Sequence, residues 1–205
     1  MHIAIAGNIG AGKTTLAGLL AGHYGWEIMP EAADTNPYLK DFYEDMPRWA
    51  FQVQIYFLTS RFGQVLQVSR YPHDVVQDRT VYEDAYIFAR NLHASGLMAD
   101  RDYQTYLQLF ESVMELVRPP DLLIYLRADL PKLMDQIRRR GRAYEKNISP
   151  DYIAALNDHY NQWTAGYDKG PLLVIDVNDL DYVRRPGDFA AIVQQVDAKL
   201  FSRRP

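Results

Sequence analysis

Three glycines, a lysine and a threonine stand near the start of the chain in a spacing suited to phosphate. Gly7-Asn8-Ile9-Gly10-Ala11-Gly12-Lys13-Thr14 reads G-x-x-x-x-G-K-[ST]. Glycines let the backbone curl until successive N–H groups face one point, where phosphate oxygens can sit. Lys13 is placed to reach β- and γ-phosphates, and the Thr14 hydroxyl, with Thr15 beside it, to hold Mg²⁺. The flanks suit that chemistry. An apolar run from His2 to Ala6 precedes the loop as a strand, and Leu16, Leu19 and Leu20 follow at helical spacing. The loop therefore opens a helix whose N-terminus adds partial positive charge. The pattern predicts binding of a nucleoside triphosphate.

Two more acidic positions and one basic run suit the same chemistry. Asp78 closes an apolar strand, where a carboxylate can hold Mg²⁺ directly or through water, and Arg79 would project toward the same phosphates. The bland alternative is a salt bridge at a turn, worth little. Glu31 follows another strand and can accept a proton from a substrate hydroxyl. It can also be read as a helix-capping acid, a task for which Asp34 and Asn36 are equally available. Arg138-Arg139-Arg140-Gly141-Arg142 is the densest positive charge in the chain. It reads either as a solvated helix end complementing the macrodipole or as a glycine-hinged lid, around 138–149, over a transferring phosphoryl group.

These groups need a frame. Five short apolar runs, His2–Ala6, Trp26–Met29, His73–Gln77, Asp121–Leu126 and Leu172–Val177, alternate with longer helical patterns. The alternation predicts an α/β fold: a five-stranded parallel sheet with helices on both faces and ligands at the carboxyl ends of the strands. Helices are expected over Pro47–Val68, Tyr82–Leu92, Asp102–Val117 and Leu130–Arg140, from Ser149-Pro150 onward, and over Asp188–Phe201. Gly141 is the expected C-cap of the fourth stretch. With 205 residues and no linker or repeat, a single domain spanning 1–205 is expected.

Composition excludes several function classes. A net charge of −4 argues against a general nucleic-acid binder or an anionic-membrane binder. There are no cysteines, hence no disulfide and no thiolate metal site. No apolar run approaches the roughly 20 residues of a membrane span. The chain enters a core strand at once, leaving no room for a signal peptide, so a cytoplasmic protein is expected. Fifteen tyrosines can line an aromatic pocket or, for most of them, edge the core.

Taken in order, these pieces resemble the deoxyribonucleoside kinase family over nearly the whole length. The resemblance rests on the Gly7–Thr14 loop, on Trp49-Ala50-Phe51-Gln52-Val53-Gln54, on the block from Asp78 to Phe88 and on Arg140-Gly141-Arg142-Ala143-Tyr144-Glu145. It implies a P-loop kinase fold using ATP and Mg²⁺. It also implies a role at each matching position. Glu31 matches the general base on the sugar 5′-hydroxyl, and Arg79 the arginine that binds this base and the phosphoryl group. Tyr43 and Glu145 match the pair on the 3′-hydroxyl, Gln54 the amide that reads the nucleobase, and Phe88 the ring stacked on it. Arg140 and Arg142 match lid arginines on the donor phosphates. Arg61 and Asp84 match an Arg/Asp pair found in members that accept purines or deoxycytidine, though they also suit a structural ion pair bracing the pocket. The donor adenine is expected near Asp179–Tyr182. Two departures stand out: Asp78-Arg79-Thr80 where members often carry Glu-Arg-Ser, and Glu31-Ala32 where many carry Glu-Pro.

The resemblance thus implies an ATP-dependent 5′-kinase of deoxyribonucleosides, purines and deoxyadenosine favoured, acting in salvage, with a small-molecule acceptor and a homodimer as in family members. Two other readings stay open. A nucleoside monophosphate kinase of the thymidylate kinase type shares the loop but needs extra cations for the acceptor's phosphate. A nucleotide-switched regulatory module needs the loop but no second, nucleoside-shaped pocket.

Overall fold

The computed structural model describes residues 1–31, 33, 35–68, 73–146 and 148–201. Ala32, Asp34 and Asn147, on which expectations above fall, lie outside the described residues. Five strands, β1 (His2–Gly7), β2 (Glu27–Met29), β3 (Val75–Asp78), β4 (Leu122–Arg127) and β5 (Leu172–Asp176), form one parallel sheet in the order β2-β3-β1-β4-β5. Register pairs Ile5 with Asp78 on one side of β1 and with Ile124 on the other. The central strands β1, β3 and β4 are buried almost throughout, which is why they read as unbroken apolar runs rather than alternating ones. The order sets the ends of β2, β3 and β1 side by side, so Glu31, Asp78 and the glycine loop open onto one edge of the sheet.

The helices are α1 (Lys13–Tyr24), α2 (Leu39–Glu44), α3 (Met46–Val68), α4 (Val81–Glu83), α5 (Arg90–Ala94), α6 (Asp100–Met114), α7 (Leu130–Arg140), α8 (Pro150–Ala165) and α9 (Pro186–Leu200). Leu16, Ala17, Leu20 and Ala21 press α1 onto the sheet. Gly141 at φ +65° closes α7, its N–H donating to the Ile137 carbonyl, and Ser149 caps α8 by accepting from the Tyr152 N–H. The six-residue α2 follows the segment for which Glu31, Asp34 or Asn36 reads in sequence as a candidate cap, though periodicity predicts no helix there.

The stretch expected as one helix over Tyr82–Leu92 is three pieces. Between α4 and α5 runs a π-helix, Asp84–Ala89, whose wider turn carries the Arg90 N–H back to the Ala85 carbonyl. Such a turn adds a residue without changing the apolar pattern enough for periodicity to register it, and π segments gather at functional sites. This one carries Asp84 and Phe88.

Candidate active site

The phosphate loop leaves β1 at Gly7 and returns as α1. Gly10 (φ +86°) and Gly12 (φ +94°) take conformations that an L side chain strains to adopt. Asn8 fixes the curl: its Oδ1 accepts from the Ile9 N–H at 2.8 Å, and its Nδ2 donates to the Ile153 carbonyl and to Asn157 Oδ1, each at 2.9 Å. Lys13 Nζ folds back to donate to the carbonyls of Gly7 (2.7 Å) and Asn8 (3.1 Å). The loop also abuts α7, because a Cβ on Gly10 would stand 2.7 Å from the Leu133 carbonyl oxygen. Gly10→Ala is therefore expected to lower thermal stability through a backbone strain of about 1–3 kcal/mol and to weaken ATP binding as the loop and α7 are forced apart. A thermal melt and an ATP titration on the same variant check both.

Burial, with Arg79 as the next contributor, lowers the Lys13 ammonium to about 8. Only the protonated form attracts a triphosphate, and a bound anion restores its ordinary value. ATP affinity is thus expected to fall as pH rises through about 8, with proton uptake on binding in that range. Calorimetry in buffers of different ionisation enthalpy reads both.

Beside the lysine, Thr14 Oγ1 donates to Asp78 Oδ2 at 2.5 Å, while Asp78 Oδ1 is buried with no hydrogen-bond partner. Arg79 follows at φ +71°, the one non-glycine residue with positive φ among the described residues. That conformation costs about 1–2 kcal/mol. The Arg79 Nε lies 2.9 Å from Glu31 Oε1, and the guanidinium sits 4.4 Å from the centre of the Phe88 ring. Arg61 Nη2 donates to the same Glu31 oxygen at 3.3 Å. Burial alone would raise the Glu31 carboxyl, but Arg79, Arg61, Lys13 and Arg142 outweigh it and hold it at about 2. Glu31 is an acceptor at every physiological pH.

Lys13, Thr14, Glu31, Arg79 and Phe88 face a cavity of about 480 Å³, a size suited to a small ligand. Its wall includes Lys13, Thr14, Thr15, Glu31, Tyr43, Gln54, Arg79, Phe88, Arg140, Arg142 and Glu145, all anticipated from sequence. Gln54 is 3% exposed and its Oε1 has no hydrogen-bond partner, an orphan acceptor where a nucleobase edge was expected. Glu145 is held by Arg140, through Nη2 at 2.5 Å and Nε at 3.1 Å, with Arg142 3.7 Å away. In this arrangement Arg140 is thus engaged by a carboxylate. Tyr43 stacks on Tyr144 at 5.8 Å.

Of the anticipated side chains outside the loop, Asp78, Arg61 and Asp84 are not on the cavity wall. Arg61 and Asp84 pair at 3.4 Å, both essentially unexposed. Arg61 instead reaches forward to Glu31 and donates to the Asp78 carbonyl at 3.5 Å, bracing the catalytic edge from behind. Burial pushes Asp84 up to about 7 against the opposing pull of Arg61 and Arg79.

Sequence reasoning did not single out Glu83, which is fully buried and bonded to the loop through Gly7. The available signal was Thr80-x-x-Glu83, a capping-box spacing. Tyr152 and Gln136 also line the cavity without having been anticipated, and from the arginine run expected as a lid Arg139 joins Arg140 and Arg142 on the wall. The Asp179–Tyr182 segment touches the loop, the Tyr182 hydroxyl donating to the Gly12 carbonyl at 3.2 Å.

The family model described as deoxynucleoside kinase matches residues 3–202, nearly the whole chain. The chain belongs to the deoxynucleoside kinase family. It is 39% identical over 196 residues to a deoxyadenosine/deoxycytidine kinase of Bacillus subtilis, covering 95% of this chain and 90% of that one. It is 40% identical over 203 residues to a deoxyadenosine kinase of Dictyostelium discoideum, covering 99% and 80%. A solved deoxyadenosine kinase from M. mycoides, described with products dCMP and a flexible dCDP bound, superposes with a TM-score of 0.87. The two share 30% identity, and the match covers 97% of this chain and all of that one. The kinase phosphorylates deoxynucleosides for salvage. That assignment leaves aside both the monophosphate kinase and the regulatory switch. Among the described residues no helix is long and apolar enough to cross a membrane.

Proposed function

We propose that the protein transfers the γ-phosphoryl group of ATP to the 5′-hydroxyl of a deoxyribonucleoside, with deoxyadenosine the favoured acceptor. One observation carries the reading. A single cavity wall holds the phosphate loop, the Glu31–Arg79 pair, the unpartnered amide oxygen of Gln54 and the Phe88 ring. Phosphate chemistry and a base-sized aromatic pocket therefore share one space. The Gln54 amide offers a donor and an acceptor to a base edge. The preference for deoxyadenosine is supported by the activities named for the relatives in Bacillus subtilis and Dictyostelium discoideum.

Each side chain then has a task. Glu31, ionised with its carboxyl at about 2, accepts a hydrogen bond from the 5′-hydroxyl and aims the oxygen at phosphorus. It takes the proton late, once the new O–P bond has made the hydroxyl acidic, which suits a loose phosphoryl-transfer transition state. Lys13, the loop amides and Arg79 bear the charge on the transferring group. Tyr43 and Glu145 hold the sugar 3′-hydroxyl. Arg140 and Arg142, on a lid around 138–149, close on the donor phosphates, with the donor adenine near Asp179–Tyr182. Mg²⁺ fits Thr14 and Asp78, hard oxygen donors that include the unpartnered Oδ1, and its charge would neutralise the phosphates there.

The chain works as one domain over 1–205, in the cytoplasm where ATP is supplied. It does so as a homodimer through the outer face of α3 and α6. On these two helices Leu109 is exposed, and Phe51, Ile55, Phe62 and Leu107 are half-buried.

Product analysis with γ-labelled ATP and deoxyadenosine tests the reading. The label is expected on the 5′ oxygen, with ADP formed in equal amount. Label on the 3′ oxygen, or release of phosphate to water alone, would overturn it.

A further inference from the structure

We infer that Glu83 is a positioning residue that locks the start of the phosphate loop and the Arg79 turn onto helix α8 as one unit. Its carboxylate is wholly buried and accepts four hydrogen bonds. Oε2 takes the Thr80 N–H at 2.7 Å and the Thr80 hydroxyl at 3.1 Å, which completes the capping box of α4. A cap needs no more than this. Oε1 is spent elsewhere: it accepts from the Gly7 N–H at 3.2 Å and from the Tyr160 hydroxyl at 2.7 Å, both over 70 residues distant in the chain.

Both remote bonds sit where the chemistry is most sensitive to displacement. On the β3 side of β1, the Arg79 N–H donates to the Ile5 carbonyl at 2.9 Å, and the chain then leaves the sheet through the positive φ of Arg79. Gly7, two residues beyond Ile5, gives its N–H to Glu83 instead of to a continuing strand. Through Thr80 the same carboxylate holds the residue after Arg79, so one side chain fixes a strained conformation that persists only where its surroundings determine it. Helix α8 supplies the fixed wall. Ile153, Asn157 and Tyr160 lie on one face of it; the first two hold Asn8 and the third holds Glu83. Burial and the adjacent Glu83 raise the Tyr160 hydroxyl well above its ordinary range, so it stays protonated and donates. The loop that grips the donor and the arginine that faces Glu31 are thereby referred to a common anchor.

This inference rests on reading Gly7–Thr14 and Arg79 as the phosphoryl-transfer machinery. The test is steady-state kinetics of wild type, Glu83→Gln and Tyr160→Phe, with deoxyadenosine and ATP–Mg²⁺ varied separately. The rates are normalised to the enzyme that binds deoxyadenosine, and thermal melts are recorded alongside. In Glu83→Gln the amide must turn its NH₂ toward Gly7 or toward Thr80 and lose one of them. Its kcat is expected to fall about 100-fold, with KM for deoxyadenosine kept within about threefold. Tyr160→Phe removes a single donor remote from the substrate, and its kcat is expected to fall about tenfold. A purely structural role would lower the melting temperature and the amount of active enzyme but leave kcat per active molecule unchanged. Normalised kcat within about twofold of wild type in both variants would overturn the inference. If Glu83→Gln does not fold, Tyr160→Phe decides alone. A wild type silent on every deoxynucleoside would instead strike the underlying reading of the site.

Discussion

Lys13→Ala is expected to lower kcat/KM for ATP by about 10³–10⁴-fold. The ammonium is the one cation seated inside the loop itself, bonded to the Gly7 and Asn8 carbonyls and almost wholly buried. When a triphosphate enters, that group exchanges two backbone carbonyls for phosphate oxygens at little cost in reorganisation. Its removal takes away charge where negative charge develops and also leaves both carbonyls without their donor. The loss should appear in kcat and in KM for ATP, with KM for the nucleoside nearly unchanged, because Gln54 and Phe88 on the cavity wall are untouched. Lys13→Arg should not rescue it, since a buried site shaped for an ammonium does not fit a planar fork. Initial-rate kinetics with each substrate varied in turn, beside a thermal melt, give the answer.

Glu31→Gln is expected to cut kcat by about 10²–10⁴-fold while ATP binding stays close to wild type. The amide keeps an acceptor for the 5′-hydroxyl but cannot take its proton, and it no longer neutralises Arg79 and Arg61, which lie 2.9 and 3.3 Å from the carboxylate. Stability carries a second signature. The carboxyl is depressed to about 2 in the folded chain, so its contribution is fully present above the ordinary carboxylate range and is lost as pH falls toward that value. The variant should therefore be less stable than wild type at pH 7, with the difference shrinking at acid pH. Melts across that range check it, and an equal difference at every pH would mean the two guanidiniums do not hold Glu31 as described.

The sequence made one edge of the site readable and hid its support, for physical reasons. Gly7–Thr14, Asp78-Arg79 and Glu31 follow buried strands, and a parallel sheet must bring such ends together, so local pattern was enough to collect them. The same logic found Gly141 and Ser149, whose capping roles are local. What escaped depends on distance along the chain. Oε1 of Glu83 is committed to Gly7 and Tyr160, and no spacing rule reaches that far. The π-helix over Asp84–Ala89 escaped because six residues cannot separate its period from an α-helix. Arg61 and Asp84 were correctly paired with each other, yet the pairing carries no information on which side of the cavity wall they stand. Arg140 and Glu145 were each assigned to substrate, and the chain lets them bond to one another.

The most direct measurement is turnover of the wild type with ATP–Mg²⁺ across deoxyadenosine, deoxyguanosine, deoxycytidine, thymidine and their 5′-monophosphates. Turnover is expected on the nucleosides, highest kcat/KM on deoxyadenosine, and none on the monophosphates, because the carboxylates of Glu31 and Glu145 on the cavity wall disfavour an acceptor that carries its own anion. Turnover confined to the monophosphates would contradict the assignment of Glu31 and the sugar-binding roles of Tyr43 and Glu145.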